Sequence, residues 1–286
     1  MIRSMTAYAS ADLAGPTGNL VCELRTVNHR YLEISPRLPE ELRNLESLLR
    51  EHIGARLSRG KVDVTVRLRG GGHGAMLDVD QALVDRLATL HRELEPKFSG
   101  LRVEFGELLR IPGVLRQAEV DAAAQQAALL AVLDQALVAL TATREREGVK
   151  LAALLCERLD AIEKIVVEVR GIMPDIRTAL RTRLETRLAD LKQPVDPGRL
   201  EQELVLQVTR SDVDEELDRL ATHISETRRV LALDEPVGRR LDFLMQEFNR
   251  EANTLGSKAV DTRSTQAAVE LKVLIEQMRE QVQNIE

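Results

Sequence analysis

The chain has 286 residues, 44% of them hydrophobic, only 2% aromatic and none Trp, with 46 acidic against 40 basic residues and a formal net charge of −6. That length accommodates two ordinary domains or one large one, and that apolar content excludes wholesale disorder. The negative balance excludes a protein that coats nucleic acid through bulk positive charge, so any such contact must rest on a local basic patch.

In chain order, the opening Met1-Ile2-Arg3-Ser4-Met5-Thr6 lacks the basic-then-apolar pattern of a signal peptide. The first 70 residues then alternate as strands do. Leu20, Cys22 and Leu24 fall on one face, Val21, Glu23 and Arg25 on the other. Val62, Val64, Val66 and Leu68 alternate more cleanly with Asp63, Thr65, Arg67 and Arg69, which predicts a strand with one buried face and one wet, basic face. Between these runs Leu42, Leu45, Leu48, Leu49 and Ile53 recur at helical spacing, after Pro36 and Pro39 and before the turn Ser58-Arg59-Gly60. The predicted order is strand, strand, helix, strand. Residues 1–69 hold 11 Lys and Arg against 8 Asp and Glu, a net of +3 that leaves −9 for the rest. That asymmetry fits either a split between gripping phosphate and holding metal or ordinary fluctuation between domains.

Gly70-Gly71-Gly72-His73-Gly74 reads as a mobile connection, because no Lys-Ser/Thr continuation makes it a phosphate loop. Residues 80–95 read as a helix and 108–115 as a connector with a turn. From about 121 the pattern is helical: an Ala- and Leu-rich stretch to 170, a basic helix over 175–192 opened by Pro174, and a break at 192–198. Helices follow at about 199–209, 212–231 and 236–256, with a last one from about 260. A core without aromatics, built from Leu, Val, Ile and Ala, points to helix-on-helix packing. The fold class is therefore α+β: a small N-terminal α+β domain, 1–118, then a mainly helical C-terminal domain with long helices, 119–286. No uninterrupted run reaches the ~20 apolar residues of a bilayer span, so no membrane contact is expected. Cys22 and Cys156 lie far apart and read as two reduced thiols of a cytoplasmic protein.

Two helices carry the chemistry. Ser211 is a suitable N-cap, and Asp214 completes a capping box. On the helix they start, Val213, Leu217, Leu220 and Ile224 share a face that should be buried. Asp212, Glu216, Arg219, His223 and Glu226 fall within a narrow arc on another. Such an arc can hold a divalent cation, move a proton and steady a phosphate; the alternative is a solvated face laced with i,i+4 pairs. The next helix has Pro236 in its first turn and an apolar stripe of Leu241, Leu244, Met245, Phe248, Ala252 and Leu255. Asp242, Gln246, Asn249, Arg250, Asn253 and Ser257 line a second face, with Glu247, Glu251, Thr254 and Lys258 on its flank. Asn249 and Asn253 are mediocre helix formers on adjacent turns. Asparagines can bond bases or the 2′-hydroxyl of RNA, and Glu247 and Glu251 at i,i+4 can share one hard metal; an interhelical hydrogen-bond network within an oligomer fits the same residues. Asn28-His29-Arg30 reads as an exposed polar turn suited to phosphate, and Arg59 and Lys61 flank the turn at Gly60. In the last helix Val269, Leu271, Leu274, Ile275, Met278, Val282 and Ile285 form a seam for another helix, of a second subunit or of the same bundle.

Several strings carry a resemblance. They are Met1-Ile2-Arg3-Ser4-Met5-Thr6, Glu23 to Leu32 (ELRTVNHRYL), Arg37-Leu38-Pro39, Ser58-Arg59-Gly60-Lys61, Pro236 to Glu247 (PVGRRLDFLMQE) and Asn249 to Lys258 (NREANTLGSK). Glu270-Leu271-Lys272 and Gln281 to Glu286 (QVQNIE) add to them. From end to end the chain resembles the YicC/YloC family. The resemblance implies an α+β N-terminal and a helical C-terminal domain, a homo-oligomer of hexameric type, and endonuclease action on single-stranded RNA with Mg²⁺ or Mn²⁺. It also implies a link to turnover of small regulatory RNA, with other RNA-decay enzymes as further partners. The chain departs from the family after Ser257-Lys258-Ala259: Val260 replaces an Asn and Arg263 an acidic residue, while Asp261 remains. The resulting expectation is metal-assisted phosphodiester hydrolysis. Asp212, Glu216, Glu247 and Glu251 are candidate metal ligands and His223 the candidate general acid or base. Arg250 and Lys258 would stabilise charge on the phosphate, with Glu247 and Glu251 also counted as catalytic. Arg3, Asn28, His29, Arg30, Arg59, Lys61, Asn249 and Asn253 are the candidate RNA contacts. The rival from another class is a non-catalytic oligomeric adaptor that delivers RNA to a different nuclease; a third reading is a purely structural helical oligomer.

Overall fold

The computed structural model describes residues 2–15, 18–69, 78–98, 100–116, 121–189 and 212–286, with isolated helical positions at 198, 202, 205, 206 and 209. The glycine run at 70–74, Ser211 of the expected capping box and most of the helix expected over 199–209 lie outside the described residues. The chain divides into two compact units. One holds residues 8–25 and 31–140; the other holds residues 1–7, 26–30 and 141–286. The division expected at residue 118 falls ahead of the long helix in which the units part.

In the first unit, β1 (Ala7–Gly15), β2 (Gly18–Val27), β3 (Leu32–Arg37) and β4 (Gly60–Arg69) form a sheet in the order β1-β2-β4-β3. Three strands precede the helix where the sequence suggested two. The third, β3, lies at the sheet edge, carries Pro36 and is buried only in part, so its alternation is weak. It pairs in parallel with β4, Leu32 opposite Gly60 and Arg37 opposite Thr65. A parallel pair needs a crossover, which the 3₁₀ turn Glu40–Leu45 and α1 (Glu46–Gly54) supply. Val62, Val64 and Val66 of β4 are buried with Leu20, Cys22 and Leu24 of β2 and with Leu49 and Ile53 of α1, as their spacing predicts. Burial, and then the neighbouring charge of Glu23, pushes the Cys22 thiol up to about 12. A short antiparallel pair, β5 (Asp78–Val79) with β6 (Leu115–Arg116), brackets α2 (Gln81–Leu94) and α3 (Phe105–Arg110). Asp80 caps α2 by accepting the Leu83 N–H at 2.9 Å. The expected connector at 108–115 holds the end of α3, the turn over 111–114 and the start of β6.

The long helix α4 (Ala122–Ala189) contributes Leu129, Val132, Leu133, Ala136 and Leu140 to the first unit's core. His52 Nε2 of α1 lies 2.8 Å from Asp134 Oδ1 of α4. By length and composition alone part of α4 is apolar enough to cross a bilayer. Counting uninterrupted apolar runs missed this, because scattered polar residues break each run.

The second unit is a bundle of the later part of α4 with α5 (Asp214–Leu231), α6 (Gly238–Lys258) and α7 (Thr262–Val282). The expected break at Pro174 is absent: α4 runs through it. Proline inside a helix costs ~3 kcal/mol. Met173 and Ile176 beside it are both buried, and burying each stabilises by ~1.5–3 kcal/mol, so packing on both sides outweighs the lost hydrogen bond. Ion pairs order the helices. Arg228 of α5 meets Asp160 at 2.6 Å and Glu163 at 2.7 Å, and Arg170 meets Asp218 at 2.6 Å. As the α4 numbers rise the α5 numbers fall, so the two run antiparallel. The apolar stripes read from sequence are buried on α5 and α6 alike. On α7, Leu271, Ile275, Met278 and Val282 pack into this chain's own core, whereas Val269 is exposed and leaves the expected seam. Pro236 precedes α6 instead of sitting in its first turn, because the helix starts at Gly238. The N-terminal segment closes the unit: Met5 N–H donates to Asn284 O at 2.8 Å, and Arg144 Nε to Ser4 O at 2.7 Å.

Candidate functional site

Helices α5 and α6 bring their polar faces together as a ladder. Glu226 of α5 accepts from Arg240 of α6 at 2.7 Å. One rung on, His223 meets Glu247 and Glu251; then Arg219 donates to Glu251 at 3.3 Å, and Lys258 to Glu216 at 2.8 Å. The numbers rise on one helix as they fall on the other, so α5 and α6 are antiparallel and the arc predicted on α5 faces α6. Each rung is set by the 3.6-residue period: Glu216, Arg219, His223 and Glu226 are three or four apart, as are Glu247 and Glu251.

The central rung has the properties of a cation site. His223, Glu247 and Glu251 each offer one ligand atom, and the three atoms lie within 4.8 Å of one another. Glu251 is buried, Glu247 and His223 half-buried. His223 packs edge-on against Phe248, with ring centroids 5.7 Å apart. Its Nε2 is buried and has no hydrogen-bond partner among the described residues. A buried imidazole nitrogen without a partner is costly in a finished protein core, and one ring nitrogen of His223 with the two carboxylates makes a nitrogen-and-oxygen donor set suited to a divalent cation. Charge points the same way. Arg219 is shared between Glu251 and Glu215, and Arg250 reaches Glu247 at 3.9 Å. Three carboxylates against two guanidinium groups leave an excess of negative charge. The hydrogen bond that Arg219 donates to Glu251 comes first, and the charges of Glu215 and Glu251 next, in raising the Arg219 pKa above its ordinary value.

The other candidate ligands lie elsewhere. Glu216 is 4% exposed; one carboxylate oxygen is held by Lys258 and the other is buried without a partner among the described residues. Asp212 accepts from Arg177 at 3.0 Å and from the Asp214 N–H at 3.1 Å. Neither belongs to the three-residue group.

On the outer side of α6, Asn253 donates to Asn249 at 2.7 Å. Both asparagines line an open groove of about 450 Å³ with Met245, Gln246, Arg250, Thr254 and, from α7, Arg279. Arg3, Asn28, His29 and Arg30 belong to the same unit as these helices, Arg59 and Lys61 to the other. Arg3 is paired with Glu145 at 2.8 Å, Asn28 donates to Gln283 O at 2.7 Å, and His29 and Arg30 are exposed. Lys61 faces Glu33 at 3.7 Å. Sequence reasoning did not assign Arg219 or Arg279 to the site. Arg219 was on the right arc, but its pairing with Glu251 depends on the register between two helices. Arg279 comes from a helix read only for its apolar seam.

Comparison with known proteins gives a consistent picture. Residues 2–153 match the family model described as the N-terminal region of YicC-like endoribonucleases, and residues 169–286 match the model of their C-terminal part. A probable endoribonuclease YicC of Haemophilus influenzae is 42% identical over 287 residues, covering the whole of both chains. A probable endoribonuclease YicC of Clostridioides difficile is 30% identical over 293 residues, again covering the whole of both.

Proposed function

The chain belongs to the family of YicC-like endoribonucleases, and from that premise we propose that it hydrolyses phosphodiester bonds of single-stranded RNA with a divalent cation held by His223, Glu247 and Glu251. The observation that carries this reading is the convergence of one ring nitrogen of His223 with a carboxylate oxygen of each of Glu247 and Glu251, all within 4.8 Å of one another, where two guanidinium groups do not fully neutralise the nearby carboxylates. A bound Mg²⁺ or Mn²⁺ supplies Lewis-acid stabilisation of the phosphate and a water of lowered pKa. The protein's own groups do the rest. In this reading His223 serves as a ligand through one of its ring nitrogens, rather than as a general acid or base. Arg250, exposed beside Glu247, faces charge that develops on phosphate oxygens. Asn249 and Asn253, with Arg279 across the groove, offer donors and acceptors to an unstacked base or a 2′-hydroxyl. Glu216 and Lys258 lock the two helices at the register that brings the ligands together. The polar and basic groups Arg3, Asn28, His29 and Arg30 of one unit, and Arg59 and Lys61 of the other, offer phosphate contacts to the strand. Action within a cytoplasmic homo-oligomer of hexameric type, on small regulatory RNA and beside other RNA-decay enzymes, belongs to the same reading and is supported by the likeness to the family.

The test is cleavage of an end-labelled single-stranded RNA by wild type, His223→Ala and Glu251→Gln, each with Mn²⁺ and with excess EDTA. Wild type should cut only with the metal, and each variant should lose at least 100-fold in rate while keeping its assembly state. Wild-type rates from both variants would remove the site. RNA that is retained but never cut, with or without metal, would favour the delivery adaptor.

A further inference from the structure

A buried carboxylate needs a counter-charge close by, since burying an unpaired ion costs several kcal/mol. Glu251 is 2% exposed, and the cation it pairs with is Arg219, at 3.3 Å. Arg219 itself is not buried: its side chain is 48% exposed, and its other terminal nitrogen holds Glu215 one helical turn back. The guanidinium therefore spans an inner carboxylate that belongs to the three-residue group and an outer one that does not. It can let go of the inner one without being stranded, because the Glu215 tether and solvent satisfy its charge. A doubly charged cation at the same carboxylates competes with it directly.

We propose that Arg219 is the resident counter-ion of the cation site: it neutralises Glu251 while no divalent ion is bound, yields that carboxylate when one arrives, and is then held by Glu215 at the edge of the site, facing the RNA phosphate. This rests on the cation site proposed above. Arg228, on the same helix, provides the comparison. It also bridges helices through two carboxylates, Asp160 and Glu163, but neither is a member of the group. A simple structural bridge would make the two arginines behave alike; a displaceable counter-ion sets them apart.

The measurement is Mn²⁺ affinity without RNA, by titration calorimetry and by the loss of the free Mn²⁺ resonance signal, on the full chain at low salt. Removing a competing positive charge should tighten Mn²⁺ binding by Arg219→Gln about fivefold to tenfold. The glutamine keeps a hydrogen-bond donor toward Glu251, and thermal unfolding confirms that the variant is folded. Arg219→Lys, which keeps the charge, should bind much as wild type does, and Arg228→Gln should leave the affinity unchanged. The gain should shrink at high salt, where exposed charges are screened. RNA cleavage by Arg219→Gln should fall despite the tighter metal. Unchanged or weaker Mn²⁺ binding in Arg219→Gln, with normal binding in wild type, would overturn this inference alone. No Mn²⁺ binding by wild type, or binding that Glu251→Gln does not affect, would overturn the cation site and this inference with it.

Discussion

Two glycines in α4 give a test in which the sign decides. Glycine inside a helix is less favourable than alanine by ~1 kcal/mol, so Gly→Ala stabilises wherever the added methyl has room. At Gly171 an added Cβ meets nothing within 4 Å; at Gly148 it would lie 1.9 Å from Ile2 O, 2.6 Å from Ile2 C and 3.0 Å from Arg3 Cα. Non-bonded atoms settle at roughly 3.5 Å, so the 2–5 segment would have to retreat by more than 1 Å. That movement breaks the bonds joining Ser4 to Arg144 and displaces Ile2, which is 5% exposed. Overpacking of this kind costs ~1–3 kcal/mol, and each lost hydrogen bond adds ~1 kcal/mol. After the helix gain is subtracted, Gly148→Ala should destabilise by ~2–4 kcal/mol while Gly171→Ala stabilises by ~0.5–1 kcal/mol. At ~2–4 °C per kcal/mol for a protein of this size class, scanning calorimetry should show the first Tm falling by roughly 4–16 °C and the second rising by roughly 1–4 °C. If Gly148→Ala matched Gly171→Ala in sign, the N-terminal segment would not cross α4 at that distance, and the closure of the second unit would have been misread.

Two further outcomes follow from ion pairs of different depth. Glu216 has a side chain 5% exposed and Lys258 one 30% exposed, so Lys258→Met leaves a buried carboxylate without its cation. Breaking a fully buried pair costs ~3–5 kcal/mol; with the lysine partly wet, ~2 kcal/mol is expected in urea unfolding, and Glu216→Gln combined with Lys258→Met should recover most of it. At the surface, Arg229 first and Arg240 second hold the Glu226 carboxyl down, from 4.5 to about 2. A depressed carboxylate pKa means that its contribution is complete above pH 4.5 and is lost as pH falls toward 2. The stability difference between wild type and Glu226→Gln should therefore be constant near neutrality and close steadily through that acid window; a difference that widens on acidification would contradict the ladder between α5 and α6.

Much of the fold was legible because burial follows period. Leu217, Leu220 and Ile224 on α5, and Leu241, Met245 and Phe248 on α6, recur at three and four residues and are buried. Val62, Val64 and Val66 recur at two and are buried as well. The misreadings occur where tertiary packing overrides a local signal. Pro174 is a strong local stop, but Met173 and Ile176 are packed on either side of it. Val269 has the right spacing for the α7 seam yet is 56% exposed, since Ala268, one residue earlier, takes the inward position. β3 was indistinct because an edge strand with a proline needs little apolar alternation.

The site was legible to the same depth and no further. Helical period placed Glu216, Arg219 and His223 on one arc of α5, and put Glu247 and Glu251 one turn apart on α6. It could not say which of four candidate carboxylates would be available to a cation, because that is decided by basic side chains on other helices. Asp212 is taken by Arg177 of α4 and Glu216 by Lys258 at the far end of α6, in bonds that span 35 and 42 residues of sequence. Glu251 also has an arginine, but one that is half in solvent and already bound to a second carboxylate. The difference between a structural carboxylate and a candidate ligand here lies in how firmly its counter-charge is held. Exposure of the partner, 30% for Lys258 against 48% for Arg219, together with the convergence of His223 and Glu247 on Glu251 and not on Glu216, is what separates the two.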